Sequence, residues 1–375
     1  MPLNGPLVLG VGQVSQSISN IDLIAVMKSL GRNSGNMMFT EALHQVLKNS
    51  KLSSFNPPIS MLEDADSIVI SAANWINEFD DFSWLAWVLE QTSLPVFLVG
   101  IGAQSPNISQ IPKVKEGTLR MLKIAAERST SISARGEFTC DVLNNYGIKN
   151  VVPTGCPSLL LARSSVNHVS FDNNRDNSIV LHATRHGFNK CDSIQRYLYK
   201  QALMHETDIL LQSEDSDIIL AFQDEILDAD YCAALSASKY AYDTVSDSLL
   251  ISYLKTHAKF FTNFESWMAY IKTKGFCVGT RIHGTIAALI GGTPAMLITH
   301  DSRTLEMARS MSIPYLESSS LDLSADIRFD DLKSGCDLLY FRDNYSGYFL
   351  RFMKYFEDNG LVVSSRFNSP GIVIS

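Results

Sequence analysis

The stretch Phe276-Cys-Val-Gly-Thr-Arg281-Ile-His283-Gly-Thr-Ile-Ala-Ala-Leu-Ile290-Gly-Gly-Thr-Pro294, continued by Ala295-Met-Leu-Ile-Thr-His300-Asp301-Ser-Arg303-Thr-Leu-Glu306, decides the fold. Phe276 to Val278 reads as a buried strand that Gly279 and Thr280 interrupt. Thr285 to Ile290 then carries apolar residues at helical spacing. Gly291-Gly292-Thr-Pro294 stops that helix, and Ala295 to Ile298 reads as the next strand. Arg281 and His283 therefore stand where a strand hands over to a helix. Free backbone N–H groups and the positive end of the helix dipole point outward there and favour an anion. Arginine adds a bidentate donor, and histidine adds a proton near neutral pH. On spacing alone, a surface salt bridge and a capping histidine would explain the same residues.

Working outward, the chain repeats this grammar. Strands are expected at Leu7–Val11, Asp64–Ile70, Pro95–Gly100, Ser131–Ala134 and near Val151, with helices between them. Gly31-Arg-Asn-Ser-Gly35-Asn36 is a tight loop that feeds a helix and can cradle a phosphate or sugar hydroxyl, or be a plain turn. A second series follows: strand Ser178–Leu181, helix Ile194–Met204, strand Asp208–Leu211, a helix after Ser213, a strand near Tyr240, helix Ser246–Leu254 and strand Ala258–Phe261. Short apolar strands alternating with longer helices specify parallel sheets covered on both faces, with ligands beyond the C-terminal strand ends. Asn74, Gln104 and Arg135 fall at such ends. Arg185, at the end of the strand that reaches His182, is a candidate anion contact in an interdomain cleft or else a linker-side salt bridge. His182 and His186 make a poor zinc pair, because their segment is not helical. Ser213 to Asp230 holds seven acidic residues and no basic one, which is most simply a solvated helix face.

Length and composition set the bounds. The 375 residues suggest two domains, and 46% hydrophobic with 19% charged residues is ordinary globular composition. We assign residues 1–165 to an N-terminal α/β domain and 178–340 to a C-terminal α/β domain with the anion site. Residues 341–375 form a helix and tail that pack back on the first domain, and the Ser-, Asn- and Asp-rich stretch Ser164–Asn177 is the linker. A net charge of −8 argues against nucleic-acid binding and against a broad hold on anionic lipid. Six scattered cysteines without a C-x-x-C pair read as reduced thiols of a cytosolic protein. Neither a signal peptide nor an apolar run of the ~18 residues needed to span a bilayer is visible. The sequon Asn107-Ile-Ser109 matches by spelling only.

The ordered set Gly35-Asn36, Val99-Gly-Ile-Gly102-Ala-Gln104, Ile132-Ser-Ala-Arg135-Gly-Glu137, Thr154-Gly-Cys-Pro157, Gly279-Thr-Arg281-Ile-His283-Gly-Thr285, Gly-Thr-Pro294 and Asp301-x-Arg303-x-x-Glu306 resembles the polysaccharide pyruvyl transferase family. The resemblance covers most of residues 30 to 310. It implies a glycosyltransferase-B-like fold of two doubly wound domains with the terminal helix crossing back. It also implies transfer of the pyruvyl group of phosphoenolpyruvate onto sugar hydroxyls, giving a pyruvate ketal on cell-surface polysaccharide. No cofactor or metal is required. The implied partners are phosphoenolpyruvate and a sugar or lipid-linked oligosaccharide acceptor, with an oligomer compatible and peripheral association at the inner membrane face an option. His283 would be the general acid and Arg281 its catalytic companion. Arg185, Arg135, Thr285, Gly284, Asn36, Asn74, Gln104, His182 and Glu306 would bind substrate. A nucleotide-sugar glycosyltransferase on the same architecture, or a non-catalytic sugar-binding relative, are the alternatives.

Overall fold

The computed structural model describes residues 5–14, 22–105, 110–171, 177–185, 193–223 and 229–371. The sequon and His186 lie outside them. Among the described residues the N-terminal strands are β1 (Leu7–Leu9), β2 (Lys51–Ser53), β3 (Ile68–Ser71), β4 (Val96–Val99), β5 (Ile132–Ala134) and β6 (Val151–Pro153). Six more follow: β7 (Ile179–His182), β8 (Asp208–Leu211), β9 (Ala258–Phe260), β10 (Phe276–Gly279), β11 (Ala295–Thr299) and β12 (Tyr315–Glu317).

All pairings between these strands are parallel. The first sheet runs β2-β1-β3-β4, and the β5-β6 pair joins it through a bridge between Ile101 and Ala134. The second runs β12-β11-β10-β7-β8-β9. The strand order reverses between β1 and β3 in one sheet and between β7 and β10 in the other. Such switch points open a crevice at the carboxyl ends of the strands, where doubly wound sheets bind ligands. The architecture is therefore two Rossmann-like α/β units, as expected from the alternating strands and helices.

Burial explains why these segments are strands. β3 and β4 have no exposed residue, as a sheet covered on both faces requires. At Gly279 the backbone adopts φ +155°, and a Cβ there would collide with the His182 carbonyl of the neighbouring strand. Only glycine lets β10 approach β7 so closely at the switch point.

The Leu338–Asp358 helix buries Phe341, Tyr345, Tyr348, Phe349, Phe352, Tyr355 and Phe356, a stripe at three- and four-residue spacing. Each such ring contributes about 1.5–3 kcal/mol of burial. The tyrosine hydroxyls find backbone acceptors in the first half of the chain: Tyr345 Oη donates to Leu159 O at 3.0 Å and Tyr348 Oη to Cys156 O at 2.5 Å. Asn359 Oδ1 accepts from the Thr130 and Ser131 amides. The helix thus crosses back onto the N-terminal unit.

Two expectations change. Tyr240 lies in the Ala229–Tyr242 helix, not in a strand. Its alanine-rich sequence favours helix intrinsically, and the aromatic pair at the end misled the periodicity. Of the acidic stretch Ser213–Asp230, Glu214 and Asp217 are fully buried rather than part of a solvated face, Asp215 and Asp230 are exposed, and Asp224, Glu225 and Asp228 lie outside the described residues. At the start of the expected Ser164–Asn177 linker, the Arg163–His168 segment forms a 3-10 turn with Val166 buried, and residues 172–176 lie outside the described residues.

Candidate functional site

The carboxyl ends of both sheets face one cleft of about 330 Å³. Asn33, Asn36, Asn74, Trp75 and Arg135 line it from the N-terminal unit; Gln212, Thr280, Arg281, His283, His300 and Arg303 line it from the other.

β10 delivers Thr280 and Arg281, and Arg281 is the N-cap of the Ile282–Ile290 helix. The Arg281 N–H donates to His182 Nδ1 at 3.0 Å, so the neutral His182 ring carries its proton on Nε2, beside the Thr285 hydroxyl at 3.5 Å. Burial, and then the charge of Arg281, hold the His182 pKa down at about 3. His182, Gly284 and Thr285 form the layer behind the cleft wall. They shape the helix start and do not line the cavity.

His283 is the second residue of the helix, within its first turn, and is 6% exposed. Its Nε2 is 3.5 Å from Cys156 Sγ, and the Phe39 ring packs at 5.4 Å. Burial, followed by the charges of Arg135, Arg281 and Arg303, lowers its pKa to about 3. In the free protein at neutral pH this imidazole is uncharged.

Three guanidiniums meet around it with different satisfaction. Arg281 Nη2 pairs with buried Glu214 and touches Ser213 Oγ, while its Nε donates to Ala183 O at 3.2 Å. The Gln212 and Ser213 amides anchor the other Glu214 oxygen at 2.7 and 3.0 Å. Arg303 donates to Gln104 Oε1 at 3.3 Å and to Asp301 Oδ2 at 3.2 Å. Arg135, 3% exposed, donates only to neutral acceptors: Gly100 O at 2.8 Å, Asn74 Oδ1 at 2.9 Å and Ala72 O at 3.2 Å. Among the described residues no carboxylate pairs with it, and burial pushes its pKa down. A buried cation without a counter-charge is costly, and an anionic ligand would relieve it.

The remaining expected residues divide. Asn36 lines the cleft and holds its own loop, Nδ2 donating to Leu30 O at 3.0 Å. Gln104 does not line the cleft among the described residues and meets it through Arg303. Arg185 turns away from the cleft: it pairs with Asp217, meets Ser238 at 3.2 Å and stacks 4.6 Å over the Tyr199 ring. The linker-side and cleft-facing readings both miss that Asp217, seemingly a surface acid, is buried beneath it. Glu306 instead accepts from the Phe138 N–H at 2.5 Å, capping the Glu137–Asn145 helix from across the cleft. Arg303 and Gln212 were not singled out. Arg303 belongs to the Asp301-x-Arg303-x-x-Glu306 motif, and Gln212 directly follows β8, the kind of position where ligand contacts gather.

Among the described residues no cluster of three or more His, Cys, Asp or Glu side chains could hold a metal, and no helix is long and apolar enough to cross a membrane. No curated protein matches this chain. Among solved structures it is similar to a UDP-N-acetylglucosamine 2-epimerase from Rickettsia bellii at 10% identity, covering 95% of this chain and 96% of that one with a TM-score of 0.42. The wall teichoic acid polymerase TagF is similar at 10% identity over 94% and 84% of the two chains, with a TM-score of 0.37. Both likenesses are weak. The polysaccharide pyruvyl transferase profile, in contrast, matches residues 20–302, a span that contains every residue of the cleft except Arg303 and its helix, and the chain belongs to that family.

Proposed function

We propose that this protein is a transferase that moves the pyruvyl group of phosphoenolpyruvate onto two hydroxyls of a sugar or lipid-linked oligosaccharide, forming a ketal. The observation that carries the reading is Arg135: a buried guanidinium without a carboxylate partner among the described residues, opening on the same cleft as Arg281, Arg303 and a helix N-terminus. Phosphoenolpyruvate brings a phosphate and a carboxylate, which such a set of donors suits.

His283 is uncharged in the free protein, so it must gain a proton to act as an acid. The ligand's negative charges favour that proton, opposing the surrounding arginines. Imidazolium then delivers it to the methylene carbon, making a methyl group and leaving an oxocarbenium-like carbon. One sugar hydroxyl attacks that carbon and returns its proton to His283. A second hydroxyl attacks as the carbon–phosphate oxygen bond breaks, and its proton leaves with inorganic phosphate. Arg135 and Arg303 stabilise the departing phosphate.

Thermal shift with phosphoenolpyruvate, set against UDP- and GDP-sugars, tests the donor. Stabilisation by phosphoenolpyruvate alone supports the reading. Stabilisation by a nucleotide sugar and none by phosphoenolpyruvate rejects it.

A further inference from the structure

Among the described residues, Gln212 lines the cleft with an amide nitrogen that the protein itself leaves unused. It follows β8, is 1% exposed, and lines the cavity. Among the described residues its Nε2 has no hydrogen-bond partner. Its backbone is nevertheless fixed: the carbonyl accepts from the Ser34 N–H at 2.9 Å, and the N–H donates to Glu214 Oε2 at 2.7 Å. Nothing about the fold needs the carboxamide, because both backbone bonds would survive its loss.

Its position beside His283 follows from Gly35. A Cβ on Gly35 would stand 2.7 Å from Gln212 Oε1 and 2.9 Å from His283 Nδ1. The carboxamide and the imidazole therefore flank the same point of the loop, and any side chain at residue 35 would part them. A buried amide with idle donors costs stability, and such a cost is retained where a ligand completes the bonds.

The charges around it suggest which ligand group. Arg281 beside Gln212 is neutralised by Glu214, whereas among the described residues Arg135 has no carboxylate partner and Arg303 has only Asp301. The more highly charged phosphate belongs with Arg135 and Arg303. We infer that Gln212 is a specificity-determining residue whose Nε2–H groups bind the carboxylate of the donor on the His283 side of the cleft. The inference rests on the phosphoenolpyruvate reading above.

Calorimetry with phosphoenolpyruvate and, separately, inorganic phosphate tests it on wild type and Gln212→Leu. The variant should melt at or above the wild-type temperature, bind phosphoenolpyruvate about tenfold or more weakly, and bind phosphate unchanged. Gln212→Glu, which places a carboxylate against a carboxylate, should lose more phosphoenolpyruvate affinity than Gln212→Leu, and it serves as the test if the leucine variant does not fold. Unchanged phosphoenolpyruvate affinity overturns the inference, as does an equal loss for both ligands or a lowered melting temperature with affinity intact. Wild type that fails to bind phosphoenolpyruvate rejects the functional reading itself; wild-type binding with an indifferent Gln212→Leu rejects only this assignment.

Discussion

The guanidinium of Arg281 lies against the carboxylate of Glu214, a side chain with no exposed surface, and the pair is locked by backbone amides into the wall of the cleft. Arg281 is thus a wall element as well as a ligand candidate. Arg281→Ala would leave Glu214 buried and unpaired, a loss of about 3–5 kcal/mol in folding stability. Urea unfolding of Arg281→Ala should show it, and the Arg281→Ala, Glu214→Gln double variant should recover part of the loss. A stability change below ~1 kcal/mol would mean that the pair is not buried in solution.

Arg135 should behave differently. Among the described residues it has no carboxylate to orphan, so Arg135→Met should cost binding more than folding. Phosphoenolpyruvate affinity is expected to fall by about 1.5–3 kcal/mol, the range for a hydrogen bond to a charged group. Calorimetry together with melting curves separates the two effects, and a large stability loss with unaltered affinity would contradict the assignment.

His182 and His283 make stability pH-dependent. Both folded-state pKa values are lowered to about 3 from an ordinary 6.5. Between those limits the unfolded chain binds the protons and the folded chain does not. Stability is therefore full above pH ~6.5 and declines as the pH falls towards ~3, by up to about 1.4 kcal/mol per pH unit for each histidine. Comparing urea unfolding of wild type and His283→Asn at several pH values isolates one of the two. An identical slope in both proteins would count against a buried neutral His283.

Glu306 links the two units through the Phe138 amide. Glu306→Ala should remove a cap worth about 1 kcal/mol and leave phosphoenolpyruvate affinity within a factor of about two. A tenfold affinity loss would instead place Glu306 in direct contact with substrate.

How much of this was readable beforehand depends on the range of the physics involved. β7, β10 and β11 are short apolar runs closed by glycine or polar residues, and the Arg281–His283 handover follows locally from Gly279 and the helical spacing after it. Arg135 and Asn74 are visible as strand-end polar residues. Glu214 and Asp217 were not recognised, because their burial depends on Arg281 and Arg185 arriving from 67 and 32 residues away. Glu306 carries no local sign that its partner is the start of another helix. Gln212 has no motif at all; only its position after β8 marks it.

For catalysis His283 must take up a proton when the donor binds. Titrating phosphoenolpyruvate calorimetrically near pH 7, in buffers of different ionisation enthalpy, counts that proton directly. Wild type should take up about one proton more than His283→Asn, which should still bind. Turnover by His283→Ala should fall by about 10²–10⁴-fold with its fold intact. Equal proton uptake by wild type and His283→Asn, with phosphoenolpyruvate bound by both, would contradict the general-acid role.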